Sequence, residues 1–384
     1  MSFSADVAVV GGGPAGCSTA IFLAQRGFSV VLVEKARFPR AKVCGEGVMP
    51  AGLGVLGRLG VLPDVERAGR RFRGVAFKDI DGRTASGNFR GGGSGIVLRR
   101  ETLDSILLER AKSFPQIQVL EGRRVVKPLL GANGLEGFET VEIDVKGGAA
   151  PEPIRARQSV IADGALSPAA ESLGLTRVMP ARARYGLRTH FDKIEDLGDR
   201  VEVFLIPGGE IYLAPQREPG TALVSLLLEE SELARFTERT QDAFDETLRT
   251  CPFLKVRMRS SSRLTPILGL GPLGGSRERW SGPGWLLAGD AASSVDPITG
   301  DGIAIALQNG ELAAEITARR LQGESEERTS AAYARARRTL LRGKRIRAGF
   351  LLALTKAPPL VSRGVFSGLG ASPALFSFLL PGGA

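Results

Sequence analysis

The sequence predicts a mixed α/β fold, and three observations carry that expectation. Short apolar runs of strand length feed glycine-rich turns and then helix-like segments, once near residue 10 and again near residue 290. Between those two places lie several alternating runs of the kind that build antiparallel sheet. The chain then closes in a basic helical segment.

The first element is read from Asp6 to Val10, an almost wholly apolar strand suited to burial on both faces. Gly11-Gly12-Gly13-Pro14-Ala15-Gly16 follows, then a helix from Cys17 to Arg26 with Gly27 as its stop, then a strand from Ser29 to Val33 ending in Glu34. This is G-x-G-x-x-G between strand and helix, with an acid at the end of the next strand, which is a dinucleotide fingerprint. Gly11 permits the turn, Gly13 lets the backbone approach a diphosphate, and Gly16 lets helix and sheet pack closely. The free N–H groups of the helix start favour an anion there. Glu34 can accept ribose hydroxyls, with Lys35 beside it.

Further along, Phe72 to Phe89 alternates like a hairpin around Asp81-Gly82. Strand-like runs follow at 201–206, 211–214 and 221–228, with a helical run from Ser231 to Thr250. Gly284 to Ala288 is a short apolar strand leading into Gly289-Asp290. Pro297, Gly300, Asp301 and Gly302 then turn the chain into a helix from Ile303 to Ala318. The segment Ser330 to Leu354 is helical, and from Arg319 to Arg363 twelve Lys and Arg face three Asp and Glu.

Composition narrows the function classes. With 384 residues and 43% hydrophobic content the chain can bury a large core unaided. Three cysteines (Cys17, Cys44, Cys251) and one histidine (His190) are too few and too scattered for a structural zinc or iron–sulfur site, so no metal is expected. The net charge of +10 comes with no nucleic-acid motif, and no nucleic-acid partner is expected. The unpaired cysteines and the lack of a long apolar span point to a cytoplasmic protein. One histidine and no nucleophile elbow argue against a hydrolytic triad.

The opening fingerprint, Gly289-Asp290 with its following turn, and Arg100-x-x-Leu103-Asp104 together resemble the FAD-dependent oxidoreductases of the para-hydroxybenzoate hydroxylase type. Within them the sequence is similar to the subgroup holding geranylgeranyl reductases, menaquinone reductases and flavin-dependent halogenases. The resemblance covers most of residues 4 to 320. It implies a Rossmann-like FAD-binding domain from residues 1–70, 96–180 and 280–325. A β-sheet substrate domain would come from 71–95 and 181–279, and a C-terminal helical segment from 326–384. It further implies that Asp290 bonds the ribityl chain, that Arg100 meets the linker or diphosphate, and that the helix start from Gly300 to Ile303 lies under the flavin. Asp163-Gly164 resembles the motif that helps place FAD and NAD(P)H. Pro168, Ala169 and Ala170 stand where the family carries an arginine, which leaves NAD(P)H as a transient electron donor, or a separate flavin reductase in its place.

The chemistry is expected around Lys42-x-Cys44-Gly45-Glu46, which resembles a stretch beside the flavin in geranylgeranyl reductases. Cys44 could shape the cavity, protonate a carbanion or simply pack; Glu46 could bind at the flavin edge or be a solvated carboxylate. Tyr212 and Pro215 match part of an aromatic motif in that family, and Tyr212 could line the substrate pocket. Lys78 is read as a solvated hairpin residue. Alternation puts Arg188 and His190 on one strand face that could look toward the cavity, making His190 an acid/base candidate. Cys44, Glu46, His190 and Tyr212 are thus the catalytic candidates. The expected function is FAD-dependent redox chemistry on a hydrophobic aromatic or isoprenoid-like substrate. Oxygen insertion by a monooxygenase is placed first and double-bond reduction second; an FAD-bound scaffold that never turns over is the third reading. The basic tail packs on the FAD domain with a solvated arginine face, or contacts a membrane surface peripherally.

Overall fold

A computed structural model describes residues 3–79, 81–143, 150–180, 183–356, 359–377 and 380. Strand β1 (Phe3–Val10) runs directly into helix α1 (Pro14–Ala24), which leads back to strand β2 (Val30–Glu34). The apolar runs are buried on both faces because β1 is central. Val10 pairs in parallel with Val33 on one side and with Ile161 on the other. The parallel core reads, in spatial order, Trp285–Leu287, Glu152–Ile161, β1, β2 and Ile117–Glu121. Successive segments depart to opposite sides of β1, so a crevice opens at its carboxyl end, where open α/β sheets bind ligands. Strands Arg123–Gly131 and Gly134–Glu142 extend this sheet antiparallel, off the strand Glu152–Ile161.

Small side chains let α1 sit tight between the sheet and the helix Gly302–Leu321. Every residue of α1 is buried. Thr19 Oγ1 donates to the carbonyl of Gly310 at 3.1 Å, and Ser18 Oγ to that of Leu307 at 3.0 Å. Ile21 and Leu23, both fully buried, each contribute on the order of 2 kcal/mol of burial energy to this layer.

The second sheet has seven strands in the order Leu268–Leu273, Arg184–Phe191, Ala222–Glu229, Gly209–Pro215, Arg200–Ile206, Gly74–Lys78 and Thr84–Asn88. All neighbours are antiparallel except Arg200–Ile206 with Gly74–Lys78. The hairpin expected at Asp81-Gly82 is present, its turn closed by the Asp79 carboxylate, which accepts from the backbone of Asp81 and Arg83. One expectation fails. The helical run from Ser231 to Thr250 is broken: Arg239 leaves helical geometry (φ −130°, ψ 47°), and separate helices span Ala234–Thr237 and Thr240–Thr250. The second helix is set by its core contacts, burying Ala243, Phe244 and Leu248 against the inserted sheet.

The C-terminal segment forms a long helix, Glu326–Lys356, then Pro359–Ala371 and Pro373–Ser377. The long helix packs along Gly302–Leu321. The later ones cover the hairpin edge of the second sheet, where Phe376 meets Phe77 edge-on at 5.9 Å. Among the described residues no helix is long and apolar enough to cross a membrane.

Candidate functional site

At the end of β1 the fingerprint is built as its spacing requires. Gly11 has φ +103°, and a Cβ there would lie 2.5 Å from the Ala162 carbonyl oxygen. A Cβ on Gly16 would fall 1.8 Å from the Gly11 carbonyl oxygen. Gly13 differs, because the nearest side-chain atom to its would-be Cβ is Arg40 Nη2 at 3.7 Å. The first turn of α1 therefore faces open space with a guanidinium beside it. Glu34 closes the other side: its Oε2 accepts from Gly12 N at 2.7 Å and its Oε1 from Ala36 N at 2.9 Å. Arg40 lies between Glu34 (3.7 Å) and Asp104 (3.4 Å), and its buried Nε, which faces Glu34, makes no hydrogen bond. Lys35 is exposed beyond Glu34.

Further along the crevice an apolar cavity of about 260 Å³ runs between the two sheets. Pro14, Asp290, Pro297, Gly300, Gly302 and Ile303 line its floor; Cys44, Gly45, Glu46 and Arg100 its side; Val75, Val203 and Tyr212 its roof. Gly289 lies behind Asp290, its N–H held by Asn309 Oδ1 at 2.7 Å. Three buried hydroxyls on this cavity, Tyr212 Oη, Ser225 Oγ and Thr299 Oγ1, have no hydrogen-bond partner among the described residues. Burial, and then the nearby Glu210 carboxylate, push the Tyr212 phenol well above its ordinary value, so it stays a donor. Burial, followed by Arg100, pulls the Lys42 ammonium down, with Asp290 opposing.

Arg100 and Asp104 form a buried i,i+4 pair, at 2.8 Å. Burial alone would lower the Arg100 guanidinium; Asp104 and then Cys44 outweigh it and hold it above its ordinary value.

Several expectations need correction. His190 does not look into the cavity. It is fully buried behind Glu46, and its Nε2 donates to Glu46 Oε2 at 2.9 Å. Arg188 Nη1 approaches His190 Nδ1 at 3.4 Å, and Thr265 Oγ1 holds both Nδ1 and the His190 backbone N–H. It is a positioning group. Glu46 is no solvated carboxylate either: fully buried at φ +59°, it also accepts from Gln216 Nε2 at 3.0 Å and Arg100 N at 3.3 Å. Together with Arg188 Nη2, which donates to the Lys42 carbonyl at 3.0 Å, it pins the Lys42–Gly47 loop to the roof sheet. Asp163 turns into its own loop, where Ser167 Oγ and Ala169 N donate to its carboxylate. Asp301 points away from the cavity toward Arg347 (3.4 Å) and Lys344 (4.0 Å) of the long C-terminal helix. Its backbone alone serves the turn. Lys78 is not solvated but bridges to Glu202, away from the cavity.

Gln216, Thr265 and Arg40 were missed, as was Arg337, which is fully buried and donates to Asn309 Oδ1 and Ser293 Oγ behind Asp290. Only Arg40, six residues after Glu34, carried a local signal: a cation close to an acid just past the fingerprint.

An unobstructed approach to Gly13 at a helix start, an acid closing the end of the next strand and a roofed apolar cavity beyond them define a dinucleotide-binding protein. The chain matches the FAD binding domain family over residues 4–344 and belongs to it. It is 28% identical to menaquinone reductase of Mycobacterium tuberculosis, over 82% of this chain and 76% of that protein. It is 29% identical to 6-methylpretetramide 4-monooxygenase of Streptomyces rimosus, over 79% of this chain and 73% of that protein. Among solved structures, the myxobacterial chondrochloren halogenase superposes with a TM-score of 0.83 at 23% identity, over 91% and 82% of the two chains. The chain is an FAD-dependent oxidoreductase. Its residues fit that cofactor: the open approach at Gly13 beside Arg40 would take the diphosphate, and the unpartnered cavity hydroxyls would face the other end.

Proposed function

We propose that this oxidoreductase reduces a carbon–carbon double bond in an isoprenoid-like or similarly apolar substrate. The observation that carries the reading is the pairing, in one apolar cavity, of the Tyr212 hydroxyl and the Cys44 thiol. Reduced FAD, when bound, would supply a hydride, which carries both electrons and the hydrogen for one carbon of the double bond. Gly11, Gly13, Gly16, Glu34 and Arg40 hold its adenylate and diphosphate end, and Asp290 with the Gly300–Ile303 helix start holds the flavin end, where N–H dipoles favour negative charge. Val75 and Val203 keep water from the reacting bond. Tyr212 Oη, a cavity hydroxyl with no protein partner, would pass a proton to the other carbon and regain one from solvent as product leaves. Cys44 Sγ accepts from Glu46 N at 3.3 Å, which fixes the thiol at the cavity wall. Reduced nicotinamide, directly or through a separate reductase, is the proposed source of electrons.

Oxygen insertion is the second reading, favoured by the similarity to the Streptomyces monooxygenase. One experiment separates them. Photoreduced enzyme is mixed, under argon and separately in air, with a geranylgeranyl lipid, and product is read by mass. Product two mass units heavier without oxygen supports reduction; product sixteen units heavier, only with oxygen, overturns it. Tyr212→Phe is expected to lower turnover at least about tenfold while leaving the flavin spectrum in place.

A further inference from the structure

We infer that the outer face of the helix Glu326–Lys356 docks on an anionic lipid bilayer. Its inner face is fully engaged with the protein. Tyr333 Oη donates to the Leu287 carbonyl at 2.6 Å, Arg337 to Ser293 Oγ at 2.8 Å, and Lys344 to Gln308 Oε1 at 2.9 Å. Ala348 and Leu351 pack in one apolar cluster with Ile298, Val75 and Val203, which line the cavity.

The opposite face has another character. Arg335, Arg338, Arg342 and Arg345 are exposed, line one groove with Thr339 and Ile346, and pair with no carboxylate among the described residues. At 3.6 residues per turn these positions, with Phe350, fall within an arc of roughly 140°. After Glu327 the helix has no acidic residue at all. Four exposed arginines elsewhere are partnered, by contrast: Arg67 with Asp64, Arg235 with Glu232, Arg239 with Asp242, Arg259 with Glu195. The unpaired stripe thus calls for an external polyanion.

Ile346 and Phe350 decide which one. They are 65% and 42% exposed, beside and just beyond the last arginine of the stripe. Cations beside solvent-facing large apolar side chains on one amphipathic face match the headgroup and acyl layers of a membrane. A nucleic-acid backbone gives Ile346 and Phe350 nothing to bury against. The apolar cavity wall lies on the inner side of the same helical turns, so docking brings a lipid surface within one helix diameter of the cavity lining. This inference holds whichever redox reaction the enzyme catalyses.

The test is flotation of the FAD-loaded full chain with two vesicle types: phosphatidylcholine alone, and phosphatidylcholine with one quarter phosphatidylglycerol. Binding to the second only, released by high salt, is expected. Replacing Arg335, Arg338, Arg342 and Arg345 by serine is expected to weaken it about fivefold per arginine, with the flavin absorption unchanged. Serine at the already paired Arg67, Arg235, Arg239 and Arg259 should leave binding near wild type. Ile346→Ser with Phe350→Ser should lose vesicles yet keep heparin binding. Equal loss in both arginine variants would mean only net charge acts, and overturns the proposal. So does failure to float with anionic vesicles, or vesicle binding that survives loss of Ile346 and Phe350 while duplex RNA binds as tightly.

Discussion

Gly13→Ala separates binding from folding. Gly13 is in extended geometry (φ −78°, ψ −176°), which alanine adopts freely, and the added methyl would meet only Arg40 Nη2 at 3.7 Å, an ordinary contact. The apoprotein should therefore be unharmed, or gain up to about 1 kcal/mol from a less flexible unfolded chain. The methyl would, however, stand where the diphosphate approaches the backbone. Overpacking of that kind costs about 1–3 kcal/mol. That is a five- to 150-fold rise in the FAD dissociation constant. Gly16→Ala is the control, since its methyl would fall 1.8 Å from the Gly11 carbonyl oxygen and must force the turn open. It should lower the stability of the apoprotein itself by roughly 1–3 kcal/mol. Urea unfolding of both apoproteins, with FAD titration followed by flavin fluorescence, reads both effects. Wild-type FAD affinity in Gly13→Ala would falsify the assignment of this turn to the diphosphate.

Three other outcomes follow from the same geometry. Glu46→Gln takes the carboxylate from His190, Gln216 and the Arg100 backbone at a fully buried position, so unfolding should cost about 3 kcal/mol less; a loss under about 1 kcal/mol would contradict the pinning role. Burial lifts Glu210 to about 7, with Arg184 opposing and Asp296 adding. Because the folded state then holds its proton more tightly than the unfolded one, wild type should lose stability relative to Glu210→Gln as pH rises from about 4.5 through about 7. A flat difference across that window would refute it. Cys17 is fully buried with its thiol pushed far up by burial, and Cys251 is buried with its thiol raised, whereas Cys44 is half-buried on the cavity. Native protein should take up one maleimide quickly, at Cys44, and FAD should slow it; labelling indifferent to FAD would remove Cys44 from the cofactor's side.

The parts of the site that were legible in the sequence are those made by neighbours in the chain. A strand, a glycine turn, a helix and a terminal acid fall within residues 6 to 34, and each local preference agrees with the packed result. Gly289-Asp290 and the turn to Ile303 were legible for the same reason. The Glu46 cluster was not. His190 and Gln216 reach it across 144 and 170 residues, and no spacing rule links them. Alternation placed Arg188 and His190 on one face correctly, but could not say that Glu46 would stand between His190 and the cavity. Asp301 misled for a related reason. Its motif marks the turn, while its carboxylate is drawn outward by Lys344 and Arg347, cations of a tail helix whose packed and solvated faces a local reading could not tell apart. The break at Arg239 was likewise hidden, since composition across Ser231–Thr250 favours helix throughout and only contact with the inserted sheet sets the second helix.

The account rests on a diphosphate seated over Gly13 and an adenosine ribose held at Glu34, and equilibrium titration of the apoprotein tests this most directly. One equivalent of FAD should bind with quenched flavin fluorescence, and FMN, which lacks the adenylate half, should bind far more weakly. Apoprotein that is folded by circular dichroism yet takes up neither flavin, or takes up both equally well, would contradict it.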